Sequence, residues 1–380
     1  MSAQAGHGAG RGAGRGAGRP VRIAQVAPPL EAVPPIGYGG TERIVGELVR
    51  ELDRRGHQVT TFASGDSHVP GRHVATVPLA LRPIGFGEDP AEHFRRTVEL
   101  VLEQQDEFDL IHAHVEAWNL ELLERARIPV VSTFHGRLDL PWARAVFHDG
   151  LPGLVAISRD QARVHPDAAW TVIHHGVTFR PQPLAEVPGE DFCFVGRMSP
   201  EKGFPEAIEI ARLTGRRLMV AAKRPTRQIE IDYHDAVIRP ALDRADVTML
   251  GELSEVDRDR LVAGSRASLV PSAWPEPFGL VVIEALACGT PVLARRAGAI
   301  PEILRDGIDG FIGDDAQQLA FFDERLDGLD RGAIQAAALE RFSVARMVDG
   351  YEELYGRLLG ARIRRPALTP RPRADPAASG

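Results

Sequence analysis

Cysteine is almost missing from this chain, with two in 380 residues, Cys193 and Cys288. They stand too far apart for a CxxC pair or a four-ligand zinc set, so they read as two buried thiols in a reducing compartment. Long apolar runs are missing as well. No window approaches the roughly 18 consecutive apolar residues of a membrane span, and the first residues lack the apolar stretch of a secretory signal. Neither GxGxxG nor GxxxxGK[ST] occurs, which counts against dinucleotide and P-loop sites. These absences together lead to the expectation of a cytoplasmic protein without a transmembrane segment, with peripheral membrane contact left open.

What is present begins with charge. The formal net charge is -7, but residues 1–19 carry +3 and residues 361–380 carry +4, which leaves -14 on residues 20–360. An acidic body argues against a nucleic acid as the main partner. Residues 1–19 repeat Gly-Ala-Gly-Arg and residues 361–380 are rich in Pro and Arg. Such compositions do not bury enough apolar surface to offset their ordering, so both ends are expected to be disordered tails.

Between the tails, short β-branched runs at 21–27, 59–63, 110–113, 130–134 and 154–157 alternate with helical periodicity, notably at 41–55 and 92–105. A Pro-rich stretch at 179–190 interrupts the rhythm. It restarts with runs at 192–195, 218–222, 247–250, 268–271 and 292–294, separated by helical patterns at 205–213, 255–263 and 280–288. Alternation of this kind predicts an α/β protein of two doubly wound, Rossmann-like domains, each a parallel sheet covered on both faces. The expected domains are 20–180 and 181–342. Open parallel sheets bind ligands beyond the carboxyl ends of their strands, so two of them face to face would form a cleft.

Three loops at expected strand ends carry chemistry. The first is GYGGTE, with adjacent Gly39 and Gly40 ahead of a helix. It could let backbone approach an anion, or be a tight turn capped by Thr41. The second, GRMSPEKG, brackets a turn with Arg197 and Lys202, where cations would meet a departing diphosphate. The third is EPFGLVVIEALACGTPV, in which Glu276 stands in a Pro-flanked loop and Glu284 on an apolar helix. A carboxylate there is costly to bury alone, and a polyol ligand or a structural ion pair would each satisfy it. Gly279 leaves room for phosphate or sugar at the helix start.

Taken together and in this order, these three segments resemble the retaining glycosyltransferases of family GT4, over roughly residues 21–360. The resemblance implies the GT-B fold, with an acceptor-side N-terminal domain and a donor-side C-terminal one. It implies that Glu276 contacts the transferred sugar and Glu284 the donor ribose, with Phe278, Gly279 and Leu280 lying along the sugar and diphosphate. Arg197 and Lys202 match the cationic pair that stabilises the leaving diphosphate. Gly39 and Gly40 match the loop approaching the phosphates from the opposite domain, and His135 matches the strand-end histidine near the anomeric centre. The last helix, about 343–360, is implied to return to the N-terminal domain.

The implied activity is retaining transfer of a hexosyl group from a nucleoside diphosphate sugar to an acceptor hydroxyl, without metal or other cofactor. The acceptor stays open among saccharides, lipid-linked and small molecules, with the loops 82–95 and 136–150 as its expected contacts. A nucleotide-sugar epimerase and a non-catalytic nucleotide-sugar binding protein remain alternatives. His112 and His114 form an HxH without a third ligand, so metal is disfavoured there and His114 reads instead as an acceptor-side residue. Asp257-Arg-Asp259 resembles a metal-binding DxD but reads as the polar face of an N-capped helix.

Overall fold

The computed structural model describes residues 20–360 except 38, 86–88, 144–146, 148–149, 181, 185–188, 224 and 226–227. Both expected tails lie outside the described residues, as do parts of the 82–95 and 136–150 loops and of the Pro-rich connection. The described chain builds two parallel sheets. The first contains β1 (Arg22–Val26), β2 (Gln58–Ser64), β3 (Arg72–Val77), β4 (Leu110–Ala113), β5 (Val130–Phe134), β6 (Leu154–Ala156) and β7 (Thr171–Val172), in the order β3-β2-β1-β4-β5-β6-β7. The second contains β8 (Phe192–Val195), β9 (Leu218–Ala221), β10 (Val247–Gly251), β11 (Ala267–Val270), β12 (Val292–Arg295) and β13 (Gly310–Gly313), in the order β10-β9-β8-β11-β12-β13. Every strand pairing is parallel. In each sheet the strand order reverses beside the first strand, the arrangement that opens a crevice at the strand ends.

Helix boundaries follow local chemistry. Pro205 occupies the first turn of Phe204–Thr214, which ends on the left-handed Gly215. The Ser254 side chain accepts from Asp257 N at the start of Glu255–Gly264, so the DxD pattern sits on a capped helix. Thr41, by contrast, lies inside the helix Gly40–Arg54, and Gly39 takes the cap position with no side-chain cap bond. The turn reading with Thr41 as cap is thereby corrected: the chain enters this helix through backbone alone.

The last helix, Val344–Gly360, packs against the first half. Arg55 donates to Asp349 and Glu352, and Tyr351 and Tyr355 hydrogen-bond to side chains of β4 and β5. One apolar cluster runs from Ile44 and Leu48, through Tyr351 and Leu354, to Phe278 and Ile283 of the second half. Each such side chain stabilises the arrangement by roughly 1.5–3 kcal/mol when fully buried. The apolar continuity holds the two halves in register without any disulfide, since Cys193 and Cys288 are both free and buried.

Candidate functional site

The site loops follow the strands that flank the two reversal points. In the first sheet β1 leads to the helix Gly40–Arg54, and β4 and β5 are followed directly by His114 and His135. In the second, β8 leads to Arg197 and Lys202, and β11 leads to Glu276 and to the helix Leu280–Ala287. The two sets face each other. A Cβ placed on Gly40 would lie 3.5 Å from Leu280 Cδ1, so the glycine loop abuts the N-terminus of the helix Leu280–Ala287. A Cβ on Gly39 would instead run into Pro35 on its own loop, at 2.8 Å.

Lys202 and Glu276 come together from loops 74 residues apart. Lys202 Nζ donates to Glu276 Oε2 at 2.7 Å, in a half-buried pair. Arg197 donates to Glu201 at 2.8 Å, and Ser199 Oγ donates to the same oxygen at 2.6 Å. Ser272 Oγ donates to the Glu201 carbonyl at 2.5 Å, tying this turn to the loop after β11. The arrangement leaves a cation on each side of the turn and a carboxylate against Lys202. An anion arriving between the halves would meet those cations and the open N–H groups of the helix at Leu280.

Gly279 caps that helix at φ +100, and a Cβ there would make only ordinary contacts, none closer than 3.6 Å. The glycine is required here conformationally, because an L side chain resists this backbone geometry. Phe278 is buried at the same corner, edge-on to His175 with ring centroids 5.0 Å apart. Glu284 also departs from the simplest expectation. Arg43 of the first half donates to its carboxylate, and Arg258 stands 3.6 Å away. Protein cations thus already satisfy the charge, and a ligand at Glu284 would share it with Arg43.

His135 sits at the end of β5 with Nε2 2.9 Å from His114 Nδ1, and its ring stacks on His175 with centroids 5.0 Å apart. Burial pushes its pKa down to about 3, so the imidazole is neutral at physiological pH. Its backbone is gripped separately: Glu116 Oε1 accepts from His135 N at 2.9 Å and from Gly136 N at 3.0 Å. His114 is fully buried against His135 and Gln25. It supports His135 from within the first sheet and has no exposed surface of its own.

Glu116 was not legible as a site residue. It holds φ 51, the sole positive-φ non-glycine among the described residues, a conformation that costs about 1–3 kcal/mol and concentrates at functional sites. Burial raises its pKa from 4.5 to about 7, against the two backbone N–H bonds that favour the carboxylate. The folded state therefore holds a proton that the unfolded chain has lost between those values. The associated stability is present below pH 4.5 and disappears as pH rises through about 7. Glu116→Gln should flatten the melting-temperature slope across that window, and an unchanged slope would remove Glu116 from this role.

Two further contacts between the halves escaped the sequence. Glu302 accepts from Arg159 N and Asp160 N at 3.0 and 3.1 Å and lies 3.2 Å from His174 Nε2. Arg137, in the expected acceptor loop, stacks over Trp274 with its guanidinium carbon 4.2 Å from the ring centroid. The adjacent His174-His175 pair was the available signal for the first. Nothing local in the sequence marks the second.

Residues 178–327 match the family model described as "Glycosyl transferases group 1", and residues 38–179 match "Glycosyltransferase Family 4". A D-inositol 3-phosphate glycosyltransferase of Mycobacterium marinum is 32% identical over 340 residues, covering 83% of this chain and 66% of that protein. A phosphatidyl-myo-inositol mannosyltransferase of Mycolicibacterium smegmatis is 28% identical over 335 residues, covering 79% and 83%. Among solved structures, AviGT4, a glycosyltransferase involved in avilamycin A biosynthesis, superposes with a TM-score of 0.64 at 26% identity, covering 90% of this chain and 98% of that one. Sheet order, the two facing sets of strand-end loops and both sequence matches agree: the chain is a glycosyltransferase of group 1, family 4, with the GT-B fold.

Proposed function

We propose that this glycosyltransferase moves a hexosyl group from a nucleoside diphosphate sugar to an acceptor hydroxyl, with retention of anomeric configuration and without a divalent ion. The observation that carries the reading is the convergence of Lys202, Glu276 and the start of the helix Leu280–Ala287 opposite the Gly39-Gly40 loop. As the diphosphate departs, charge develops on its oxygens against Lys202, Arg197 and the helix N–H groups. The sugar becomes cationic, and Glu276, held by Lys202, is placed to meet it. The acceptor attacks from the leaving-group face and gives its proton to a leaving phosphate oxygen, so the protein supplies no nucleophile. His135, neutral at the end of β5, offers a hydrogen-bonding imidazole rather than a charge.

The acceptor is proposed to be an inositol-type polyol or a compound carrying one, because both curated relatives above are named for such acceptors. Among the parts of the first half that face the second are the helix Gly40–Arg54 and Arg137 of the 136–150 loop. The test is a thermal-shift panel of UDP-, GDP- and ADP-sugars with and without a chelator. One donor should raise the melting temperature, since ligand at about 100-fold over its Kd stabilises by about 2.7 kcal/mol, and the chelator should not remove the shift. No shift with any nucleotide sugar would overturn the assignment.

A further inference from the structure

Strands of a parallel sheet covered on both faces are normally near-continuously apolar. Here β1, β4 and β5 instead place Gln25, His112, His114 and Thr133 inside the first half, all fully buried. Register puts Gln25 directly beside His112. Tyr351 and Tyr355 of the last helix close the group from the other side. A buried polar set of this size is stable when every member is bonded in one consistent direction.

Donor and acceptor chemistry fixes that direction. The Gln25 carboxamide oxygen only accepts, and it lies 2.9 Å from His114 Nε2, so that nitrogen carries the hydrogen. Burial and the neighbouring imidazoles hold His114 neutral, which leaves its Nδ1 as a lone pair. That lone pair accepts from His135 Nε2 at 2.9 Å. A neutral His135 with hydrogen on Nε2 has none on Nδ1. Its Nδ1 is buried and has no hydrogen-bond partner among the described residues.

The orientation of the Gln25 amide is itself set at the far end. His112 Nδ1 lies 2.7 Å from the Tyr355 hydroxyl and 3.2 Å from Gln25 Nε2. With the amide nitrogen on this side, Gln25 donates toward His112 Nδ1 and toward the Tyr355 oxygen, and the Tyr355 hydroxyl donates to the His112 Nδ1 lone pair. With Nδ1 bare, His112 Nε2 donates to Thr133 Oγ1 at 2.8 Å, and Thr133 Oγ1 lies 3.1 Å from the Tyr351 hydroxyl. Turning the amide over would reverse each bond and put the hydrogen of His135 on Nδ1.

We propose that Gln25 is a positioning residue which, through His114, fixes His135 as the Nε2–H tautomer, so that its Nδ1 lone pair accepts from a hydroxyl of the substrate. The substrate half of this inference rests on the glycosyl-transfer reading; the tautomer half does not. Anchoring on Tyr355 makes the last helix, over 200 residues away in sequence from His135, part of the same arrangement.

The test is nitrogen NMR of the full chain labelled at histidine, with His135 assigned by loss of its signals in His135→Gln. Near neutral pH, His135 Nδ1 should resonate as an unprotonated and Nε2 as a protonated ring nitrogen. Gln25→Leu should mix the two tautomers and lower kcat by about tenfold while the donor Kd changes little. Gln25→Glu keeps an acceptor for His114 Nε2 and should restore the single tautomer. A hydrogen on His135 Nδ1 in the unaltered protein would overturn the proposal even if Gln25→Leu fails to fold. So would a Gln25→Leu variant that melts earlier with tautomer and kcat unchanged. The stated tautomer without binding of any donor would sink the substrate half and the function beneath it, whereas the opposite tautomer with intact transfer would sink the positioning alone.

Discussion

Lys202→Ala should lower turnover by about 10²–10³-fold while leaving the melting temperature close to its original value. The magnitude is that of removing one donor aimed at charge developing in the transition state. The small stability cost follows from the setting. Lys202 ends a short turn, Pro200–Lys202, its side chain is 26% exposed, and its partner Glu276 is 21% exposed. Solvent-exposed ion pairs contribute about 0–1 kcal/mol, and this partly exposed one sits near the upper end. Steady-state rates and a melting curve on the same preparation separate the two effects. Wild-type turnover in this variant would sink the role given to Lys202, and a collapse of the melting temperature would recast it as structural.

Gly298→Ala should cost about 10²-fold in kcat/KM, although Gly298 contacts no proposed substrate group. A Cβ at this position would fall 2.4 Å from both the backbone nitrogen and the carbonyl oxygen of Glu276, and the backbone here has φ +54. Both objections act on backbone, so neither is relieved by turning a side chain. The loop bearing Glu276 must move, and Ala299 N, which donates to the Glu276 carbonyl at 2.9 Å, must move with it. Displacing a positioned group by about 1 Å is enough to lose two orders of magnitude. The proposed cationic diphosphate contacts, Arg197 and Lys202, lie on the loop after β8, so the donor Kd should change less than kcat. Equal loss in both would indicate a general disruption of the second half rather than a shift of Glu276.

The two-sheet architecture was readable because hydrophobic runs and helical periodicity alternate with little interruption on both sides of residues 179–190. The strands that escaped are instructive. β3, Arg72–Val77, is an edge strand with exposed and half-buried positions, so it lacks the apolar run that marks its neighbours. β13, Gly310–Gly313, has glycine at both ends and is defined by pairing with β12 rather than by propensity. β7 has two residues and signals nothing.

Within the site, what could be read were residues whose neighbours share the motif: Arg197 with Lys202, Glu276 with Glu284, Gly39 with Gly40. What could not be read were partners fixed by tertiary register. Arg43 reaches Glu284 across 241 residues, and Gln25 meets His112 because β1 and β4 run side by side. One sequence signal does bear on these partners. Glutamine in the middle of β1 and two histidines at the end of β4 break an otherwise apolar pattern, and buried polar groups at that density need partners.

The central claim is that two half-sites, the Gly39-Gly40 loop on the first sheet and Arg197, Lys202 and the helix at Leu280 on the second, hold a nucleoside diphosphate between them. It is tested most directly by calorimetric titration of the unaltered protein with the nucleoside diphosphate and monophosphate of the same base. The account predicts saturable one-to-one binding of the diphosphate, at least about tenfold tighter than the monophosphate, because the second phosphate adds charge-assisted bonds worth about 1.5–3 kcal/mol each. Equal affinity for the two nucleotides, or no binding of either, would contradict it.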